Sequence, residues 1–339
     1  MCDNIKISII IPIYNAEKTI KRMLDSLQVQ TMPDFEVIMV DDGSTDSSSV
    51  ICDEYARKDS RFKVIHQINT GVALARKKGI EAACGEYSIH ADADDWVEPT
   101  MLSELYNKAC KANADIVICD YYDTSTKGID SYHKIHLSSY SPLDVLYDIT
   151  QGYCFGALWH KLLKLDLYKK YKVQFFAGIN YSEDVLILAQ ILQHEEIKIA
   201  YLNSAYYHYI HNENSITHCV SLNTYHGLKM YLKKIAEILP SDNGRFDKFK
   251  ITLPIASFQM GFMNYLVSDK ESRKEYKRLR SIIWNNSNSL RWKLGYLMIE
   301  INLMFLAHKL IKQSLFGNVL NGLFIKTLKM QPFTIGWLL

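Results

Sequence analysis

The chain has 339 residues and a formal net charge of +2, long enough for two domains or for one α/β domain with an appended region. The charge is unevenly placed: from Lys270 to the end there are 12 Lys or Arg against 3 Asp or Glu, while the first 269 residues carry 27 against 34. An acidic body with a basic tail points to an anionic surface as the tail's partner, and seven scattered cysteines without a Cys-x-x-Cys pair argue against a disulfide framework and read as reduced, mostly buried thiols of a cytosolic protein.

Taken in chain order, the N-terminus enters an apolar segment at once, without the basic region, long hydrophobic run and cleavage site of a signal peptide. Ile5 to Tyr14 is a continuous apolar run, as expected of a strand buried on both faces of a parallel sheet. Asn15 reads as the N-cap of a helix carrying Ile20, Leu24 and Leu27, which Pro33 stops. Phe35 to Val40 reads as a second strand closing on Asp41-Asp42-Gly43-Ser44. A helix through Tyr55, a strand over Phe62 to Gln67, a helix over Gly71 to Ala83 and a strand over Glu86 to Ala91 follow. This β-α-β-α-β-α-β run is a doubly wound nucleotide-binding pattern. From Pro99 a helix leads to a strand at Ile116 to Cys119. The polar stretch Asp123 to Ser141 reads as a loop or flap. A helix is expected to open at Ser182-Glu183-Asp184, a strand pair lies around Lys198 to Tyr209, and beyond about residue 222 the pattern is helical. Leu294 to Ala307 is interrupted by Glu300 and Asn302 and falls short of the roughly 20 residues that span a bilayer.

The chemistry-bearing feature is Asp92-Ala93-Asp94-Asp95-Trp96, placed straight after the fourth strand. Three carboxylates within four residues repel one another unless a cation neutralises them, and hard oxygen ligands suit Mg2+ or Mn2+ better than zinc or copper. A solvated acidic turn capping the next helix is the competing reading. Strand ends near Tyr14, Asp41 and Asp92 converge on one crevice if the sheet is parallel. No G-x-G-x-x-G follows the first strand and no G-x-x-x-x-G-K-[ST] occurs anywhere, so neither a dinucleotide nor a P-loop reading has its main support. Metal and side chains such as Arg76 would have to neutralise the phosphates instead.

Ile9 to Asn15 (IIIPIYN), Val40 to Asp46 (VDDGSTD), Gly71 to Arg76 (GVALAR) and Asp92 to Trp96 (DADDW) together resemble the ordered motifs of family-2 glycosyltransferases with the GT-A fold. The resemblance covers residues 5 to 105 and extends more loosely to Thr217 through Trp159-His160-Lys161-Leu162, Ser182-Glu183-Asp184 and Asn214 to Thr217. It implies an α/β, mostly parallel, doubly wound sheet with a C-terminal helical extension. Residues 1–105 would form the nucleotide-sugar half, 106–221 the acceptor half and 222–339 a basic helical region.

The resemblance also implies residue roles. Pro12 and Tyr14 border the base, Asp41 hydrogen-bonds the uracil edge of a UDP-sugar, and Arg76 approaches the base or diphosphate. Asp92 contacts ribose or metal, Asp94 is the main ligand of Mn2+ or Mg2+, and Asp95 supports it. Ala93 belongs to the nucleotide-contacting motif with its side chain pointing away. Asp184 is the base for an inverting displacement. Simple turn chemistry for Asp42, a solvated helix face for Arg76 and helix capping for Glu183 and Asp184 are the plainer alternatives. His208 and His211 read as structural, and a surface lysine explains Lys161 as well as an acceptor-site role does.

The implied activity is transfer of a hexose or N-acetylhexosamine from a nucleotide-sugar, a UDP-sugar by this resemblance, to a saccharide or lipid-linked acceptor in surface-polysaccharide synthesis, in the cytoplasm. A non-catalytic nucleotide-sugar scaffold and a sugar nucleotidyltransferase are the alternatives. Basic residues after Lys270 interleave with Trp284, Trp292, Tyr296 and Phe305, the composition of an in-plane anchor on the anionic inner face of the plasma membrane. A helical bundle packed on the catalytic domain fits equally. No recognition motif supports nucleic-acid binding.

Overall fold

The computed structural model describes residues 4–125, 128–210, 221–286, 296–299 and 307. Two compact units divide the chain, one comprising Met1–Asp148 and Cys154–Glu213, the other Ile149–Tyr153 and Asn214–Leu339.

The first unit is built on β1 (Ile7–Ile13), α1 (Ile20–Gln28), β2 (Phe35–Asp41), α2 (Ser48–Lys58), β3 (Phe62–His66), α3 (Val72–Ala82), β4 (Tyr87–His90), β5 (Trp96–Val97), α4 (Met101–Ala112), β6 (Ile116–Thr124) and β7 (Asp130–His133). There follow α5 (Pro142–Gln151), β8 (Lys161–Lys164), α6 (Asp166–Lys170), α7 (Glu183–Leu192) and β9 (Ile199–Ile210). The strands lie in the order β3-β2-β1-β4-β8-β6-β9-β5, and β7 pairs with β6. β2, β1 and β4 run parallel, as do β3 and β2, while β8 pairs antiparallel with both β4 and β6. All seven residues of β2, and all of β1 but Pro12, are buried. That burial is why both strands read as unbroken apolar runs: helices cover each face, so no position can be polar without a partner. Ser8 and Glu36, two buried polar residues in these strands, satisfy one another at 2.6 Å.

α3 packs against this sheet, and a Cβ on its Gly79 would lie 2.3 Å from Ile10 Cγ2; glycine permits the close approach of helix to strand.

Several expectations from sequence are corrected. Asn15 does not cap α1; it is left-handed, with φ of 50°, and its side chain accepts from the Thr45 amide at 2.8 Å, binding the β1–α1 loop to the β2–α2 loop. Thr19 precedes the helix instead. The polar segment 123–141 contains β7, antiparallel to β6. Lys198 to Tyr209 is one long strand rather than two, parallel to β6 and antiparallel to β5. Cys52, Cys110, Cys119 and Cys154 are free, but Cys84 is disulfide-bonded, against the expectation of reduced thiols throughout.

The second unit holds α8 (Leu222–Ile238), α9 (Asp247–Met263) and α10 (Asp269–Asn286). Ser221 caps α8 by accepting from the Thr224 amide at 3.1 Å, as an N-terminal serine should. Phe258, Phe262, Tyr276, Leu279 and Ile283 form its core with Tyr296, Ile299 and Ala307. Among the described residues no helix is long and apolar enough to cross a membrane. His211, Asn214 to Thr217, Trp292 and Phe305 lie outside the described residues.

Candidate active site

Parallel pairing brings the carboxyl ends of the first four strands to one edge: Ile13 stands beside Asp41, and Asp41 beside His66. Pro12 is half-buried there, and Tyr14 is 53% exposed just beyond β1. Asp41 is buried, and its carboxylate is held on two sides. Oδ1 accepts from the Ser44 amide at 3.0 Å, and Oδ2 lies 2.9 Å from His66 Nδ1. The other imidazole nitrogen is 3.1 Å from Asp53 Oδ1 on α2. The hydrogen bond to Asp41, helped by Asp53, raises the His66 pKa against the opposing effect of burial.

Asp42 points elsewhere. It accepts from Gln67 Nε2 at 2.7 Å, the Thr70 amide at 2.9 Å and the Gly71 amide at 2.8 Å, so it shapes the β3–α3 loop and its chemistry is that of a turn. Gly71 has a φ of 91°, and a Cβ there would lie 2.5 Å from Asn180 Oδ1.

The acidic cluster after β4 separates by burial. Asp92, Ala93 and Asp94 are partly exposed, whereas Asp95 is fully buried. Asp95 accepts from Tyr207 Oη at 2.7 Å and from the Ile210 amide at 2.8 Å. Tyr207 Oη in turn accepts from the Asp92 amide at 3.0 Å. These bonds anchor the loop to β9. Burial, with Asp94 and Asp92 nearby, lifts the Asp95 pKa well above the carboxylate range, and the side chain does not face the open side of the cluster with the other two. Asp95 thus acts on the cluster through the fold of its loop. Burial and the neighbouring Asp92 push Asp94 up to about 6, since both disfavour the ionised form. The nearest arginine on α1, Arg22, donates to the Asp94 carbonyl rather than to its carboxylate.

Arg76 links this loop to the N-terminus of α7. It is 4% exposed, and its Nη2 donates to Asp92 Oδ1 at 3.0 Å. Its Nε stands 3.5 Å from Glu183 Oε1 and 3.4 Å from Asp184 Oδ1. Burial works against the guanidinium charge, but Asp184, Asp92 and Glu183 outweigh it and raise the Arg76 pKa. The solvated helix face is thus excluded for Arg76, and its guanidinium is spent on three carboxylates. Asp184 Oδ2 accepts from the Leu158 amide at 3.0 Å. Burial raises the Asp184 pKa while Arg76 holds it down, and burial with Asp184 alongside pushes Glu183 up to about 7. Ser182 makes no side-chain cap at this helix, so the two carboxylates meet the amide end of α7 unshielded.

Two features escaped sequence reasoning. His66 carried no motif signal, being one polar residue at a strand end. Lys161 is not on the surface but 1% exposed, with Nζ donating to Phe155 O at 2.6 Å, Ala157 O at 2.7 Å and His160 Nε2 at 2.6 Å. His208 is structural as expected, yet its environment is unusually complete: it lies between Trp96 and Tyr122, with ring centroids 3.5 and 4.5 Å away, and its Nε2 is 3.0 Å from Glu98 Oε1.

Comparison with known proteins addresses the family and the fold. The family model described as glycosyl transferase family 2 matches residues 8–174. The chain is 37% identical over 172 residues to the putative glycosyltransferase EpsH of Bacillus subtilis, covering half of each protein. It is 29% identical over 300 residues to the cholesterol galactosyltransferase of Borreliella burgdorferi, covering 85% of this chain and 79% of that one. S. aureus TarS 1–349, solved with UDP-GlcNAc, superposes with a TM-score of 0.66 over 92% of each chain at 19% identity, a likeness that shows the fold to be of the GT-A type. The chain spans about half the length of EpsH. From the matched region and its motifs, residues 8–174 of this chain belong to glycosyl transferase family 2.

Proposed function

We propose that the protein is an inverting, metal-dependent glycosyltransferase that moves a sugar from a UDP-sugar to an acceptor hydroxyl in surface-polysaccharide synthesis. The observation that carries this reading is the arrangement around Arg76: a partly exposed carboxylate pair on one side and the helix-terminal Asp184 on the other, joined through one buried guanidinium. TarS has been solved with UDP-GlcNAc and with UDP, which supports a uridine donor here. Pro12, Tyr14 and Asp41 would border the base, and the Ala93 backbone would line the nucleotide.

Asp92 and Asp94 fit Mg2+ or Mn2+. Both are hard oxygen donors, partly exposed and two residues apart on one loop. No group of three His, Cys, Asp or Glu side chains is placed to hold a metal among the described residues, so diphosphate oxygens and water would complete the shell, as is usual for Mg2+. A bound cation would offset the charge that builds on the departing diphosphate.

The chain's own residues do the rest. Asp184 takes the proton from the acceptor hydroxyl through its carboxylate, while the Leu158 amide holds Oδ2. The acceptor oxygen forms its bond to the anomeric carbon as the bond from that carbon to the diphosphate oxygen breaks, on the opposite face, which inverts the centre. Arg76 keeps Asp92 and Asp184 in register and favours the ionised form of Asp184.

In the second unit, the exposed Lys270, Lys274, Lys277 and Arg280 of α10 support docking on an anionic membrane face, each worth about 1 kcal/mol near such a surface. Flotation with anionic and neutral vesicles tests this; equal retention on both removes it. The activity itself is tested by screening UDP-, GDP- and dTDP-sugars for manganese-dependent hydrolysis and transfer. A preference for GDP or dTDP donors overturns the uridine assignment, and binding without any turnover favours a scaffold instead.

A further inference from the structure

The carboxyl ends of β2 and β3 and the middle of α2 meet at His66. Both ring nitrogens of His66 face carboxylates on other elements, Nδ1 to Asp41 Oδ2 at 2.9 Å and Nε2 to Asp53 Oδ1 at 3.1 Å. A carboxylate only accepts, so each nitrogen is matched when it carries hydrogen. Asp41 is nearly inaccessible at 4% exposure, and apart from the Ser44 amide His66 is the hydrogen-bond partner that orients it. A carboxylate has about four lone-pair sites. With one on each oxygen taken, the carboxylate plane is set and one further site on each oxygen remains for a ligand. His66 itself is 45% exposed, at the end of β3 and separated by β2 from β1, which carries the half-buried Pro12 and leads into the exposed Tyr14.

We infer that His66 is a positioning residue for nucleobase recognition: its Nδ1–H orients Asp41 so that the open acceptor sites of that carboxylate meet a ring N–H of the donor's base, while Asp53 fixes the imidazole from behind. The inference rests on the proposed role of Asp41 at the base. It assigns His66 to the affinity and base selectivity of the site and not to the chemical step, because the diphosphate end and Asp184 are supported by a separate set of contacts through Arg76.

Side-chain length makes the test specific. An asparagine amide nitrogen reaches the position of the imidazole Nδ1, whereas a glutamine amide nitrogen reaches that of Nε2. Full-length wild-type, His66→Asn, His66→Gln and His66→Leu proteins are titrated calorimetrically with UDP and, separately, with inorganic pyrophosphate, both with Mn2+. The expected result is that His66→Leu and His66→Gln weaken UDP binding about five- to tenfold, the scale of one partly exposed hydrogen bond to a charged group. His66→Asn stays close to wild type, and pyrophosphate affinity is the same in all four proteins. In steady state the loss falls on the donor KM and not on kcat.

UDP affinity unchanged in His66→Leu overturns the inference, as does an Asn variant as weak as the Leu variant. A parallel loss of pyrophosphate binding overturns it too, since that outcome marks a general structural defect. Asp41→Asn separates this failure from failure of the underlying reading. If Asp41→Asn loses UDP while His66→Leu keeps it, only the His66 role falls; if Asp41→Asn binds UDP like wild type, the base assignment of Asp41 falls and His66 with it.

Discussion

Arg76 Nη2 donates to Asp92 Oδ1 at 3.0 Å while the same guanidinium's Nε stands 3.4 Å from Asp184 Oδ1. One buried cation thus holds the carboxylate proposed for the metal and the carboxylate proposed as base. Replacing Arg76 by Gln leaves Asp92, Glu183 and Asp184 without their compensating charge in a buried setting, which typically costs about 3–5 kcal/mol. Chemical denaturation reads that cost. Transfer activity is expected to fall with it, and the smaller loss in Arg76→Lys is expected to keep the fold but not the two-sided geometry.

Asp184→Asn removes the proton acceptor and keeps the side-chain shape. Transfer is expected to drop about 10²- to 10⁴-fold with UDP affinity intact, as read by single-turnover kinetics beside calorimetry. Full transfer by a folded Asp184→Asn protein dismisses the assignment.

Metal binding by Asp92 and Asp94 is expected to stabilise the fold. At a Mn2+ concentration about 100 times Kd, stabilisation is about 2.7 kcal/mol, a Tm increase of several degrees for a unit of this size. Asp94→Asn and Asp92→Asn should abolish the Mn2+-dependent part of the shift, and Asp95→Asn should lower Tm with or without the ion, because Asp95 ties the loop to Tyr207 and Ile210.

His66 supplies a pH signature. Its pKa is raised in the folded chain by Asp41 first and Asp53 next, so its contribution to stability is complete below the unfolded histidine value near 6.5. It is lost as pH rises through the higher folded value. Wild type should lose stability relative to His66→Asn between slightly acid and mildly alkaline pH, measured by urea midpoints at each pH; parallel midpoints in the two proteins would contradict the pairing.

Lys161 is a buried ammonium with three acceptors, and burial lowers its pKa. Lys161→Met strands Ala157 O, takes one donor from Phe155 O and loosens the segment that offers the Leu158 amide to Asp184. A loss of about 2–4 kcal/mol in stability is expected from the unsatisfied groups, with a further fall in kcat that donor binding does not share.

The strands β1 to β4 and the helices between them were legible because their signals are local. Apolar runs of the right length mark strands buried on both faces, and Gly71 and Pro33 mark boundaries in the chain itself. The motif residues Asp41, Arg76, Asp92, Asp94 and Asp184 could be named for the same reason, since type and order are properties of sequence. What each side chain does was decided by partners far along the chain. Asp95 and Asp94 are neighbours, yet Tyr207 and Ile210, more than 100 residues away, turn one inward and leave the other open. For Arg76 the sequence leaves a diphosphate contact and a solvated helix face both open until α7 brings Glu183 and Asp184 against it. Lys161 reads as a surface residue until the turn at Phe155 to Leu158 closes over it, and His66 becomes part of the site only when β2, β3 and α2 meet. Composition and periodicity determined which residues were available at which strand end; the burial and charge that set their roles arise from long-range packing, which no local pattern records.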